Sequence, residues 1–154
     1  MTTTPWGDAT QLRARRLRPG PGANPAAVTR NQRERMYAAM VAAVGENGYE
    51  ATRVADVVKL SGVSRSAFYR HFDDKLDCFL ATLDELQNLA VRELAKRYDP
   101  ELPWEQRLRV AADAFLGLVL EQPAAARLCL VEVYAAGPQA GERVYARVER
   151  GEGR

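Results

Sequence analysis

Histidine occurs once in this chain of 154 residues, at position 71, and cysteine twice. Cys78 and Cys129 lie far apart without CxxC spacing, so one histidine cannot complete a zinc site with them. They read instead as small buried apolar residues in a reducing cytosol. No GxSxG elbow and no glycine-rich phosphate loop occurs, and His71 has no sequence partner that would make it a nucleophile's base or a metal ligand. An enzyme is therefore not expected, and no metal or cofactor is implied. No apolar run approaches the roughly 18 residues of a membrane span. The opening stretch "MTTTPWGDATQLRARRLRPGPGANP" carries arginines but no apolar segment, so it does not read as a signal peptide. A cytoplasmic location is expected.

Net charge is also small, at +2, but it is unevenly spread. Residues 1–35 hold seven arginines (13, 15, 16, 18, 30, 33 and 35) against Asp8 and Glu34, whereas the remainder carries an excess of acids. A basic end on a mildly acidic body suits a polyanionic partner at that end.

Residues 1–28 are rich in Pro, Gly, Thr and Arg and lack periodicity, which predicts a disordered basic arm. Helical spacing then begins. Met36, Met40 and Val44 fall on one stripe with Tyr37 and Val41 beside it, predicting a helix over 32–47. Asn31 and Glu34 have capping-box spacing, and Gly48 suits the stop. In "ATRVADVVKLSGVS", Thr52 is the expected N-cap, Asp56 lies early in the helix, and Gly62 is free to take positive φ. Ser64 caps a further helix through about Phe72. Two short helices joined by a glycine turn make a helix-turn-helix. A long helix is expected over 74–98, broken by Pro100 and Pro103. Others follow over 104–121, 123–135 and from Pro138 onward. No strand and no repeat is expected: the fold class is all-α.

The chemistry concentrates in "VSRSAFYRHF". Residues three and four apart share a helix face, so Ala67, Phe68 and Phe72 can pack inward. Ser64, Arg65, Ser66, Tyr69, Arg70 and His71 then form an outer surface of hydrogen-bond donors with no acid among them, and Lys75 follows one turn later. Nine helical residues span about 13 Å, comparable to the DNA major groove. Donors on the second helix of a helix-turn-helix fit that groove and its phosphates.

Residues 32–80 resemble the DNA-binding domain of the TetR family of bacterial transcriptional regulators. The elements "GYxATxVxDV" and "SGVSxxxFYxHFxxK" and the long helix after them agree in order and spacing. The resemblance implies that Thr52 touches a phosphate and that Tyr69, His71 and Lys75 contact the DNA backbone. It puts Arg65 and Ser66, joined by Arg70, where bases are read. Leu76 stands where many members have an acid. The Arg13–Arg18 cluster supplies non-specific attraction or, as other arms do, enters a minor groove.

The later helices resemble the family's regulatory domain more weakly. The implied organisation is an arm (1–28), a helix-turn-helix head (29–75) and a helical ligand-binding and dimerisation body (76–154). The candidate effector-pocket residues are Phe79, Leu83, Trp104, Phe115, Leu116, Leu118, Cys129 and Tyr134, each of which also reads as ordinary core. Family members usually continue through two more long helices that pair in a dimer, so the body reads as incomplete, with apolar faces of its helices partly exposed. The expected function is a nucleoid-associated regulator. It would be a repressor, bound as a homodimer to an operator and released by a small effector. The alternative is a truncated relative that binds DNA weakly or heterodimerises.

Overall fold

The computed structural model describes residues 2–151. A minimal hairpin pairs β1 (Thr3–Thr4) with β2 (Gly7–Asp8), and a single 3₁₀ turn follows at Ala9–Gln11. The rest is helical. The head comprises α1 (Pro25–Asn47), α2 (Val54–Ser61) and α3 (Arg65–His71). The body comprises α4 (Lys75–Ala95), α5 (Trp104–Glu121), α6 (Pro123–Arg127), a π-helical turn (Leu128–Glu132), α7 (Val133–Ala135) and α8 (Pro138–Gly151). No single described helix is long and apolar enough to cross a membrane.

Local chemistry sets most boundaries. Gly48 (φ +79°) and Gly62 (φ +66°) end α1 and α2 with backbone that other residues rarely adopt. Ser64 Oγ accepts from Ala67 N–H at 3.1 Å and starts α3. Asp74 Oδ1 accepts from Asp77 N–H at 2.8 Å and starts α4. Prolines open α6 and α8, where the missing N–H costs nothing.

Two caps differ from expectation. α1 begins at Pro25, not near 32, because Asn24 Oδ1 accepts from Ala26 N–H at 3.0 Å and Pro25 occupies the first turn. Asn31 is consequently mid-helix. Its side chain ties down the preceding segment, accepting from Leu17 N–H at 3.1 Å and donating to Arg15 O at 3.0 Å. Thr52 is not the cap of α2 either. It donates to Gly48 O at 2.7 Å, while Arg53 holds the cap position and its N–H donates to Asp56 at 2.8 Å.

The segment before α1 is not a disordered arm. Thr4 Oγ1 donates to Gly7 O at 2.7 Å and closes the hairpin. Trp6 stacks 5.3 Å from Tyr37, and the Arg15 guanidinium donates to Trp6 O. Leu12 is fully buried among the core residues of the head. Arg13 Nε donates to Lys59 O at 2.9 Å, and Arg35 Nη1 to Ser61 O at 2.6 Å. Two guanidinium groups thus meet the carbonyl end of α2, where the helix dipole favours positive charge.

The core runs from the head into the body through α1 and α4. Phe68, Phe72, Cys78, Phe79, Leu80, Leu83 and Leu86 are all buried against α1 or its neighbours. The expected apolar face of α5 is largely open: Leu108, Phe115, Leu116 and Leu120 are exposed, and Ala114 alone is buried on that helix.

Replacing Leu12 by Ala removes a fully buried side chain and should destabilise the protein by about 2–5 kcal/mol. A urea unfolding curve checks this. An unchanged midpoint would mean that the segment before α1 is dispensable to the fold.

Candidate nucleic-acid interface

In the helix-turn-helix, Ser61 Oγ accepts from Val63 N–H at 3.2 Å, and Ala67, Phe68 and Phe72 turn into the core. That packing leaves Ser64, Arg65, Ser66, Tyr69 and Arg70 exposed on one side of α3. The Arg65 guanidinium lies 5.6 Å from the Tyr69 ring, and the Ser64 and Ser66 hydroxyls are 3.2 Å apart. Of the acids just beyond, Asp77 accepts from Asp73 N–H and Asp74 from Asp77 N–H at the start of α4. The exposed residues of α3 itself include no acid.

Three of the expected contact residues are engaged within the protein. Thr52 is buried with its hydroxyl on Gly48. Lys75 Nζ donates to Tyr49 O at 2.9 Å and Glu50 O at 3.4 Å, and sits 4.2 Å from the Tyr49 ring centre. An ammonium has three donors, so one remains. His71, half-buried, places Nε2 2.8 Å from Gln32 Oε1. Burial, then the nearby Arg33 and Arg70 charges, hold the His71 pKa below its ordinary value.

The sequence did not point to Gln32 and Arg33. Arg33 lies 4.9 Å over Phe72 and donates from Nε to Tyr37 OH at 2.9 Å, binding α1 to the end of α3. Their i, i+4 spacing on α1 reveals the Arg33–Tyr37 pair, but the link to α3 is long-range and leaves no local signal.

A half-open cavity of about 340 Å³ lies between α4, α5, α6 and the π turn. Of the expected pocket residues, Phe115, Leu118 and Cys129 line it. Phe79 and Leu83 do not, because they are closed into the core. Trp104, Leu116 and Tyr134 do not either: at 63%, 57% and 70% exposed they look outward. The lining instead includes Leu86, Leu89, Ala125 and Gln122, and Pro5 from the hairpin. Gln122 Oε1 is buried with no hydrogen-bond partner among the described residues. Burial pushes both cysteine thiols up to about 12, so neither forms a ready thiolate at neutral pH. Among the described residues, no group of His, Cys, Asp and Glu could hold a metal ion.

Residues 37–82 match the family described as bacterial regulatory proteins, tetR family. The chain is 28% identical over 104 residues to the HTH-type transcriptional activator FasR of Mycolicibacterium smegmatis, covering 68% of this chain and 48% of FasR. It is 35% identical over 86 residues to the HTH-type transcriptional regulator CymR of Pseudomonas putida, covering 53% of this chain and 42% of CymR. The chain thus spans about half the length of the curated relatives it matches. Among solved structures, the fatty acid degradation regulator FadR from Bacillus halodurans superposes with a TM-score of 0.69 at 16% identity, over 86% of this chain and 65% of that one. A TetR family transcription regulator from Marinobacter aquaeolei VT8 gives 0.67 at 22% identity, over 77% and 63%. At those identities the likeness is one of fold: an all-α chain with an N-terminal helix-turn-helix. The relatives are named as transcriptional regulators, not as enzymes.

The depressed His71 pKa sets a pH dependence. The unfolded chain takes up a proton near pH 6.5, before the folded one does. Stability should therefore fall as pH drops below about 6.5 and level off below the folded pKa. His71→Gln should flatten that part of the profile, read as urea midpoints between pH 7.5 and 5. An equal slope in both proteins would assign the effect to other groups.

Proposed function

We propose that this chain, whose residues 37–82 match the tetR family, is a DNA-binding regulator of transcription that inserts α3 into the major groove. The observation that carries this reading is the exposed row Ser64, Arg65, Ser66, Tyr69 and Arg70, which includes no acid. Arg65 and Ser66, with Arg70 beside them, read bases. Tyr69, His71 and the remaining Lys75 donor hold phosphates, and Thr52 supports that edge through the Gly48–Thr52 loop. The head runs to residue 75 and the body from 76. A small, mainly apolar effector occupies the cavity of about 340 Å³, in keeping with a structural neighbour named as a fatty acid degradation regulator. The protein acts as a homodimer on its operator, as a repressor released by that effector. FasR, by contrast, is named as an activator, so transcription with and without the bound protein decides the sign.

The test begins with duplexes selected from a random pool at moderate salt. Arg65→Ala should cost about 1–3 kcal/mol of discrimination between selected and random duplexes. Tyr69→Phe and His71→Ala should weaken both classes alike. If Arg65→Ala weakens all sequences equally, Arg65 is a phosphate contact. If the wild-type chain shows no preference and its binding vanishes with salt, the regulator reading fails.

A further inference from the structure

Between α6 and α7 the helix widens into the π turn at Leu128–Glu132. Such turns are rare, occur mostly as single-turn bulges within α-helices, and are frequent at functional sites. The two sides of this one face different parts of the molecule. Cys129 and Leu130 line the cavity. Glu132, only 7% exposed, turns to the head, where its Oε2 accepts from Tyr49 N–H at 2.9 Å across 83 positions of sequence. The same carboxylate receives Arg127 Nε and Nη2, each at 3.1 Å. It also lies beneath Gly48, where a Cβ would meet Oε2 at 3.5 Å. A buried carboxylate is costly unless its charge is met, and here one guanidinium and one amide meet it.

The loop it grips is held from the other side by the head. Lys75 Nζ donates to Tyr49 O, and Thr52 Oγ1 donates to Gly48 O. Residues 48–52 therefore lie between a body carboxylate and two side chains of the expected DNA-contact set. The path from Cys129 and Leu130 to Lys75 passes through a single irregular turn and one carboxylate.

We propose that Glu132 is a positioning residue that transmits occupancy of the cavity to the Gly48–Thr52 loop. A molecule lodged against Cys129 and Leu130 draws the π turn toward regular helix. Closing that turn rotates the residues after it and takes Glu132 off the Tyr49 amide. Lys75 and Thr52 then lose the fixed carbonyls that set their positions. The inference rests on the reading of the cavity as an effector site.

Amide hydrogen exchange in the full chain, without DNA, tests it. Gly117 lines the cavity and a Cβ there meets nothing within 4 Å, so Gly117→Leu places an occupant without a ligand. Tyr49 N–H should exchange about tenfold faster in that variant, the change set by loss of one hydrogen bond, while amides of Met40 and Val41 in α1 stay protected. Glu132→Ala should speed Tyr49 similarly, and adding Gly117→Leu should then have no further effect. Glu132→Gln keeps an acceptor and should restore slow exchange. Should Glu132→Ala also open α1, the comparison moves to Glu132→Gln, in which Gly117→Leu must still speed Tyr49. The proposal is overturned if Gly117→Leu leaves Tyr49 unchanged with α1 protected, if Glu132→Ala leaves it slow, or if Gly117→Leu acts equally without Glu132. Because no DNA is present, this result and the operator result can fail separately.

Discussion

Everything in the head leans on α1, whose residues from Arg35 to Val44 are all buried. A helix closed on every side is held by what packs round it rather than by one apolar stripe. Four of its residues in that span are alanines at 38, 39, 42 and 43, which let neighbouring elements approach closely. α2, α4, α6, the π turn and the first strand of the hairpin all pack against it. The single charge in that span, Arg35, is accommodated because Ser61 O and Asn31 Oδ1 accept from it. Burial still holds the Arg35 pKa below its ordinary value.

This enclosure sets how α3 is presented. Phe68 and Phe72 are buried in the same core, which fixes the side of α3 that faces outward. Pre-set geometry matters for reading base edges, because a bidentate contact works only within hydrogen-bond reach. The enclosure also joins head to body. Glu132 reaches Tyr49, Pro5 reaches the cavity, and both attach to elements that touch α1.

Much of this was legible in the sequence where one residue acts on its own turn. Gly48, Gly62 and Ser64 each state a boundary through local chemistry. Trp104 to Glu121 is bracketed by prolines, and the expected helix there matches the observed one. The donor face of α3 was readable because three- and four-residue spacing fixes who shares a side. What failed to show was everything set at a distance. Trp6 and Leu12 anchor the N-terminal segment singly, so no periodicity marks them. The partners of His71 and Lys75 come from other elements, and nothing local says that their donors are already engaged. Trp104 and Leu116 look outward although they share α5 with Phe115 and Leu118, because spacing alone does not say which part of that helix faces inward. The π turn leaves no propensity signal in "LCLVE".

On the proposed function α3, and not the open apolar face of α5, is the surface that meets a partner through charge and hydrogen bonds. Amide exchange mapped with and without a selected duplex of about three helical turns tests it most directly. Exchange should slow across residues 64–71 and at the Gly48–Thr52 loop, and added salt should reverse it. Protection confined to Leu108–Leu120, or none on α3 while the duplex is bound, would contradict it.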